Sequence, residues 1–137
     1  MRTILLALAA IVALTAMSQK HALRATKYHP GMGGAGWVTA SGDRIDNGKL
    51  KNYEIRWVAM SPDMFSNYGF RLGDTIEVTC DNVPKLNGRW IVKDKMGRRM
   101  RKRIDFLLPR GDNYGFTHAN VTIEKANNKP QKTEKDQ

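Results

Sequence analysis

The sequence has one cysteine, Cys80, and three histidines, His21, His29 and His118, in 137 residues. One thiol closes no intrachain disulfide, and no Cys/His spacing resembles a zinc site, so disulfide-stapled and zinc-stapled modules are excluded. The histidines share no helical or strand spacing, so no metal ligand set is expected, and nothing points to a cofactor. Acid is scarce as well: 13 Asp and Glu stand against 23 Lys and Arg, a formal charge of +10. At 41% hydrophobic and 26% charged, the composition is that of a globular chain and not of a disordered one. The length fits one domain.

What is present begins with a segment unlike the rest. Arg2 supplies a positive start, Ile4 to Leu14 an unbroken apolar run, and Ala16-Met17-Ser18 a small-x-small site, the pattern of a secretory signal peptide over 1–18. The run is shorter than the ~20 residues that cross a bilayer, so no stable membrane span is expected after cleavage. Removing it takes away one base and no acid, which leaves 22 against 13 and a charge of +9. For an exported protein of the periplasm, cell envelope or medium, such a surplus meets envelope polymers before it meets nucleic acid, and the same long-range attraction serves either.

Residues 19–26 read as a short leader, and 125–137, which lack any large apolar side chain, as a disordered polar tail. Between them, Glu54 to Ala59, Thr75 to Cys80 and Asn120 to Glu124 alternate polar and apolar residues with the period of half-buried strands. Arg89 to Val92 and Ile104 to Leu108 are apolar on both faces and read as central strands. Cys80 fits as a small buried hydrophobe. Ser61-Pro62-Asp63 marks a helix start with a capping hydroxyl, a first-turn proline and an acid at the positive end, and Gly69 a stop. Asn87-Gly88 signals a hairpin between 75–80 and 89–93. The expected architecture is all-β, a small closed barrel with one or two helical turns, since closure removes edges that an unstapled β-protein must otherwise protect.

Thr39-Ala40-Ser41-Gly42-Asp43 resembles the Thr-Ala-Ser-Gly-acid segment of rare-lipoprotein-A-like double-psi β-barrels. Val92 to Arg98, followed by Arg103-Ile104-Asp105-Phe106, resembles their second signature and that of the three-aspartate domain of membrane-bound lytic transglycosylase A, in which two aspartates stand eleven positions apart, as Asp94 and Asp105 do here. Trp57 to Pro62 is similar to the Val-Ala-x-Asp-Pro segment of the latter, and Gly69 to Val78 to the strand that follows it. The resemblance spans about 28–124. It implies a six-stranded double-psi barrel over 27–124 acting on peptidoglycan, with Asp105 as the general acid and base of a lytic transglycosylase that cleaves between MurNAc and GlcNAc, and Asp94 in support. A non-catalytic wall-binding barrel is the alternative, and a basic nucleic-acid binder a third. Ser61 stands where the three-aspartate pattern has its first acid, and Met60 and Ser61 leave no place for the histidine common in the other family.

Each candidate has a plainer reading. Arg103, two residues before Asp105, shares its strand face at ~7 Å, so an ion pair that lowers the Asp105 pKa is expected. Asp94 could close a strand through an Asx turn, and Thr39 and Ser41 could bond backbone in a turn rather than sugar. Asp43 could be simply solvated. Trp57 and Trp90 read as core, which leaves Trp37, beside Gly31, Gly33, Gly34 and Gly36, as the exposed stacking platform. The segment from Lys95 to Arg103 carries six basic residues, Arg98 and Arg103 among them, and is either a solvated connection or a groove-mouth patch for anionic substrate groups.

Overall fold

The computed structural model describes residues 18–126; the signal-peptide reading for 1–17 and the tail beyond 126 lie outside the described residues. Six strands, β1 (His21–Tyr28), β2 (Trp57–Met60), β3 (Thr75–Thr79), β4 (Gly88–Lys95), β5 (Arg103–Leu107) and β6 (Ala119–Lys125), close into a barrel in the order β1-β5-β2-β4-β3-β6. Two pairs, β1/β5 and β2/β4, are parallel and the other four antiparallel. The helices α1 (Asn47–Lys51) and α2 (Pro62–Ser66) are single short turns.

Period-two alternation builds the core. Each strand turns two residues inward, from Leu23 and Ala25 on β1 to Val121 and Ile123 on β6. The largest, Trp90, packs edge-on against Phe106 at 4.8 Å between ring centroids and donates its indole N–H to the Leu86 carbonyl at 2.8 Å. Burying such a side chain contributes ~1.5–3 kcal/mol, and the indole hydrogen bond removes the cost of sinking a polar group. Cys80 is buried one residue past β3.

Residues 21–26 are not a leader. They form most of β1, the strand that closes the barrel between β5 and β6. Only Leu23 and Ala25 of this strand are core residues, which is why its pattern is faint; its place is dictated by two partners distant in sequence. Nor is Asn87-Gly88 a two-residue hairpin: 80–87 link β3 to β4 through a short turn, and the Asn87 amide bonds both backbone groups of Cys80, extending the ladder by a side chain.

A second, smaller apolar layer lies outside the barrel wall. Ile45, Leu50 and Ile55 pack on Leu107, with Tyr28 and Trp57 at the edges. The layer carries the 37–56 segment across the outer faces of β1, β5 and β2, and a groove opens where it stops. Trp57 is therefore half-buried in this layer under the Lys93 ammonium, not in the barrel core.

Candidate functional site

The groove encloses about 810 Å³ over the ends of β1, β5, β2 and β4. Its floor follows from register. Ala59 of β2 is opposite Asp94 of β4 on one side and Asp105 of β5 on the other, while Asp105 is opposite Thr26 of β1. At ~4.8 Å per strand, the two aspartate α-carbons flank Ala59 at ~10 Å, and the methyl side chain leaves the space between them open. Asp94, Ala59 and Asp105 all line the groove, with Lys27, Tyr28, His29, Lys95 and the Gly33–Gly36 backbone around them. A β-bulge between Val58 and Ala59 brings Asp94 opposite Ala59 in place of Lys93.

Asp94 is held by three donors. The Ala40 and Lys95 amides each donate to Oδ1 at 3.0 Å, and the Tyr28 hydroxyl donates to Oδ2 at 3.4 Å. Burial, reinforced by the charges of Asp94 and Asp105, holds the Tyr28 phenol well above its ordinary pKa, so it remains a donor. Asp105 accepts one hydrogen bond, from the Thr26 hydroxyl at 3.0 Å. Burial is the main cause that raises its pKa to about 6; Asp94 raises it further, and Thr26 and His29 oppose the shift. The expected ion pair with Arg103 does not form: Arg103 belongs to none of the ion pairs among the described residues, and the carboxyl leans across the sheet to Thr26. The direction of the Asp105 shift is thus opposite to the one the Arg103 spacing suggests.

Beside the acids lies a His–carboxylate pair. Asp112, its side chain almost fully buried, accepts from His29 Nε2 at 2.5 Å, from Lys27 Nζ at 3.1 Å and from the Tyr114 amide at 3.0 Å. Burial alone would raise its pKa, but these donors outweigh it and hold the carboxyl below its usual range. An ionised Asp112 makes His29 Nε2 the protonated nitrogen.

The Thr-Ala-Ser-Gly-Asp segment works by position. Thr39 Oγ1 and Ser41 Oγ lie 2.7 Å apart, Ser41 Oγ donates to Asp43 at 2.5 Å, and Lys93 Nζ donates to Asp43 at 2.9 Å. The Ser41 amide donates to the Lys93 carbonyl at 3.0 Å. Thr39, Ser41 and Asp43 thus spend their polar atoms on clamping a loop to β4, and none of them lines the groove; Ala40, between them, delivers its amide to Asp94. Trp37 is exposed as expected but faces away from the groove, whose lining includes its neighbours Gly36 and Val38. Arg98 is exposed in the 96–102 loop outside the groove, and Arg103 lies on β5, its amide bonded to Ser61 Oγ at 3.0 Å. The basic segment reaches the groove through Lys95, Met96, Gly97 and Met100.

Ser61 and Asp63 also have other partners than the helix start suggests. Ser61 makes no side-chain cap, and Asp63 Oδ2 accepts from the Lys102 amide at 2.9 Å, so both fasten the end of the basic loop. The residues missed in the sequence are Thr26, Tyr28, His29 and Asp112. Their roles depend on partners 66 to 85 positions away, and no local pattern marks them.

No protein-family model matches the chain, and no curated protein matches it by sequence. Solved structures do match in shape. An apo expansin from Clavibacter michiganensis superposes with a TM-score of 0.54 at 17% identity, over 81% of this chain and 52% of the expansin. A mutant of that expansin in complex with cellohexaose gives 0.51 at 16%, over 79% of this chain and 50% of the other. The Streptomyces papain inhibitor gives 0.53 at 20%, over 79% and 94%. The chain spans about half the length of the expansin chains. These likenesses, with the closed mixed six-stranded sheet, identify the fold as a barrel of the double-psi type.

Proposed function

We propose that this chain is a secreted, cell-wall-active barrel that binds peptidoglycan glycan strands in the groove floored by Asp94, Ala59 and Asp105. The observation that carries the reading is the flanking of one small residue by two acids at the floor of an open groove. Carboxylates accept from sugar hydroxyl and acetamido groups, Lys95 answers stem-peptide carboxylates, and Met32, Met96 and Met100 offer adaptable apolar walls. That an expansin of similar shape is seen in complex with cellohexaose favours a polysaccharide as the ligand class to test. A nucleic acid fits less well, because two acids line the floor against its phosphates. The test is co-sedimentation of the mature protein with purified sacculi and with cellulose. Retention on sacculi that Ala59→Leu abolishes is expected; equal recovery in the supernatant with and without sacculi rejects the reading.

A second reading, glycosidic cleavage, is favoured by one specific feature. Asp105, with a pKa raised to about 6, keeps a proton at mildly acidic pH that it could transfer to a glycosidic oxygen, and as carboxylate it could then remove the C6 hydroxyl proton to close a 1,6-anhydro ring. Digestion of sacculi by the wild type and by Asp105→Asn, followed by mass spectrometry, decides it: anhydro-muropeptides from the wild type alone support cleavage, and none from either leaves binding as the function.

A further inference from the structure

On the reverse side of the 36–38 segment, a second pocket of about 510 Å³ is lined by Trp37, Arg44, Ile45, Asp46, Asn47 and Lys49. It shares no residue with the groove. Trp37 is held there rigidly. The Arg110 guanidinium lies 5.2 Å from the ring centroid, anchored by its own hydrogen bonds to the Pro30 and Gly31 carbonyls. Gly31, at φ +66°, comes so close to the indole that a Cβ there would lie 2.5 Å from its Nε1. The Trp37 carbonyl accepts from the Ile45 amide at 2.8 Å, which ties the backbone as well. Arg110 does not line the pocket, yet Trp37 is 39% exposed, so the pocket meets a preorganised aromatic surface backed by a cation.

The surroundings of that surface are polar and of mixed sign. Arg44 and Lys49 are exposed and belong to none of the ion pairs among the described residues. Asp46 spends one oxygen on the Lys49 amide as the cap of α1, and Asn47 spends its carbonyl on the Arg110 amide, which leaves a carboxylate oxygen and an amide N–H₂ as hydroxyl partners. A rigid indole face takes the C–H face of a pyranose, two cations take an anionic substituent, and Asp46 and Asn47 read hydroxyls. We propose that this pocket is a second saccharide site, separate from the groove, that takes an anionic sugar unit bearing a carboxylate or phosphate. A phosphodiester strand would want the cations and the stacking surface but has no use for the Asp46 carboxylate.

The test is isothermal titration at low salt with tetragalacturonate, cellotetraose as its uncharged counterpart, and a short single-stranded oligonucleotide. It is done in the wild type and in an Ala59→Leu background, so that loss of groove binding and loss of this site are seen separately. Tetragalacturonate is expected to bind about tenfold or more tighter than cellotetraose, in both backgrounds. Arg44→Ala with Lys49→Ala should erase that preference, Trp37→Ala should weaken tetragalacturonate about tenfold, and Trp37→Phe should recover part of the loss. Binding of tetragalacturonate no tighter than of cellotetraose overturns the proposal, as does binding indifferent to Trp37→Ala and to the double cation variant. An oligonucleotide that binds more tightly than tetragalacturonate through the same residues overturns it in favour of nucleic acid.

Discussion

Asp94 and Asp105 are register partners of the same residue, Ala59, one across a parallel pair of strands and the other across an antiparallel pair. The chain carries them in different strands, joined by the basic loop, and the barrel returns them to opposite sides of a single methyl group. Ala59 is therefore a gate set by side-chain size. Ala59→Leu is expected to abolish retention on sacculi while costing ~1–3 kcal/mol through overpacking. Co-sedimentation and thermal unfolding of the same preparation check both; a folded variant with undiminished retention removes the groove as the binding site.

Asp105 makes stability depend on pH in the less common direction. Its pKa is raised in the folded protein, from 3.8 to about 6, so the native state binds the proton more tightly than the unfolded chain does. Stability then falls as pH rises from about 4 through about 6 and levels off above, a loss on the order of 3 kcal/mol. Asp105→Asn removes this loss and should be more stable than the wild type by about that amount at pH 8, with little difference at pH 4. Urea unfolding at the two pH values measures it, and a variant less stable at pH 8 contradicts the assignment.

Asp43 behaves in the opposite sense. Hydrogen bonds from Ser41 and Lys93 lower its pKa below 3.8, so the loop clamp is complete above that value and is lost as pH falls through the folded pKa. Asp43→Ala should loosen the loop that carries Ala40 to Asp94. The expected signature is faster hydrogen exchange at the Ser41 amide and a several-fold weaker retention on sacculi, with the barrel amides unchanged.

Tyr53 occupies a glycine-like position. It follows α1 at φ 63°, and the Tyr53 and Glu54 amides donate to the Leu50 and Lys49 carbonyls in the pattern of a Schellman end. A side chain in the left-handed region costs ~1 kcal/mol, so Tyr53→Gly should stabilise the protein by ~0.5–1 kcal/mol. Chemical denaturation checks the sign; a loss of stability means that the exposed tyrosine ring contributes more than its backbone costs.

Five of the six strands were legible in the sequence because each carries its own apolar pattern, alternating as in Thr75-Ile76-Glu77-Val78 or continuous as in Ile104 to Leu108, and such a run declares a strand without reference to any partner. The helix start at Ser61-Pro62 was legible for the same local reason; Asp94 and Asp105 stood out by their spacing, and the barrel places both in the groove lining. β1 was not, because Leu23 and Ala25 bury too little to stand out and the strand exists through β5 and β6. With β1 hidden, Thr26 was hidden too, and Arg103 was left as the only neighbour from which to judge the Asp105 proton. Composition and short-range periodicity determined a basic β-chain with a closed sheet. Which groups face one another across that sheet, and whether Thr26 or Arg103 meets Asp105, were decided by register alone, since hydrogen bonding between strands joins residues whose separation along the chain carries no signal of their meeting; Trp37 is placed instead by loop contacts with Gly31, Ile45 and Arg110.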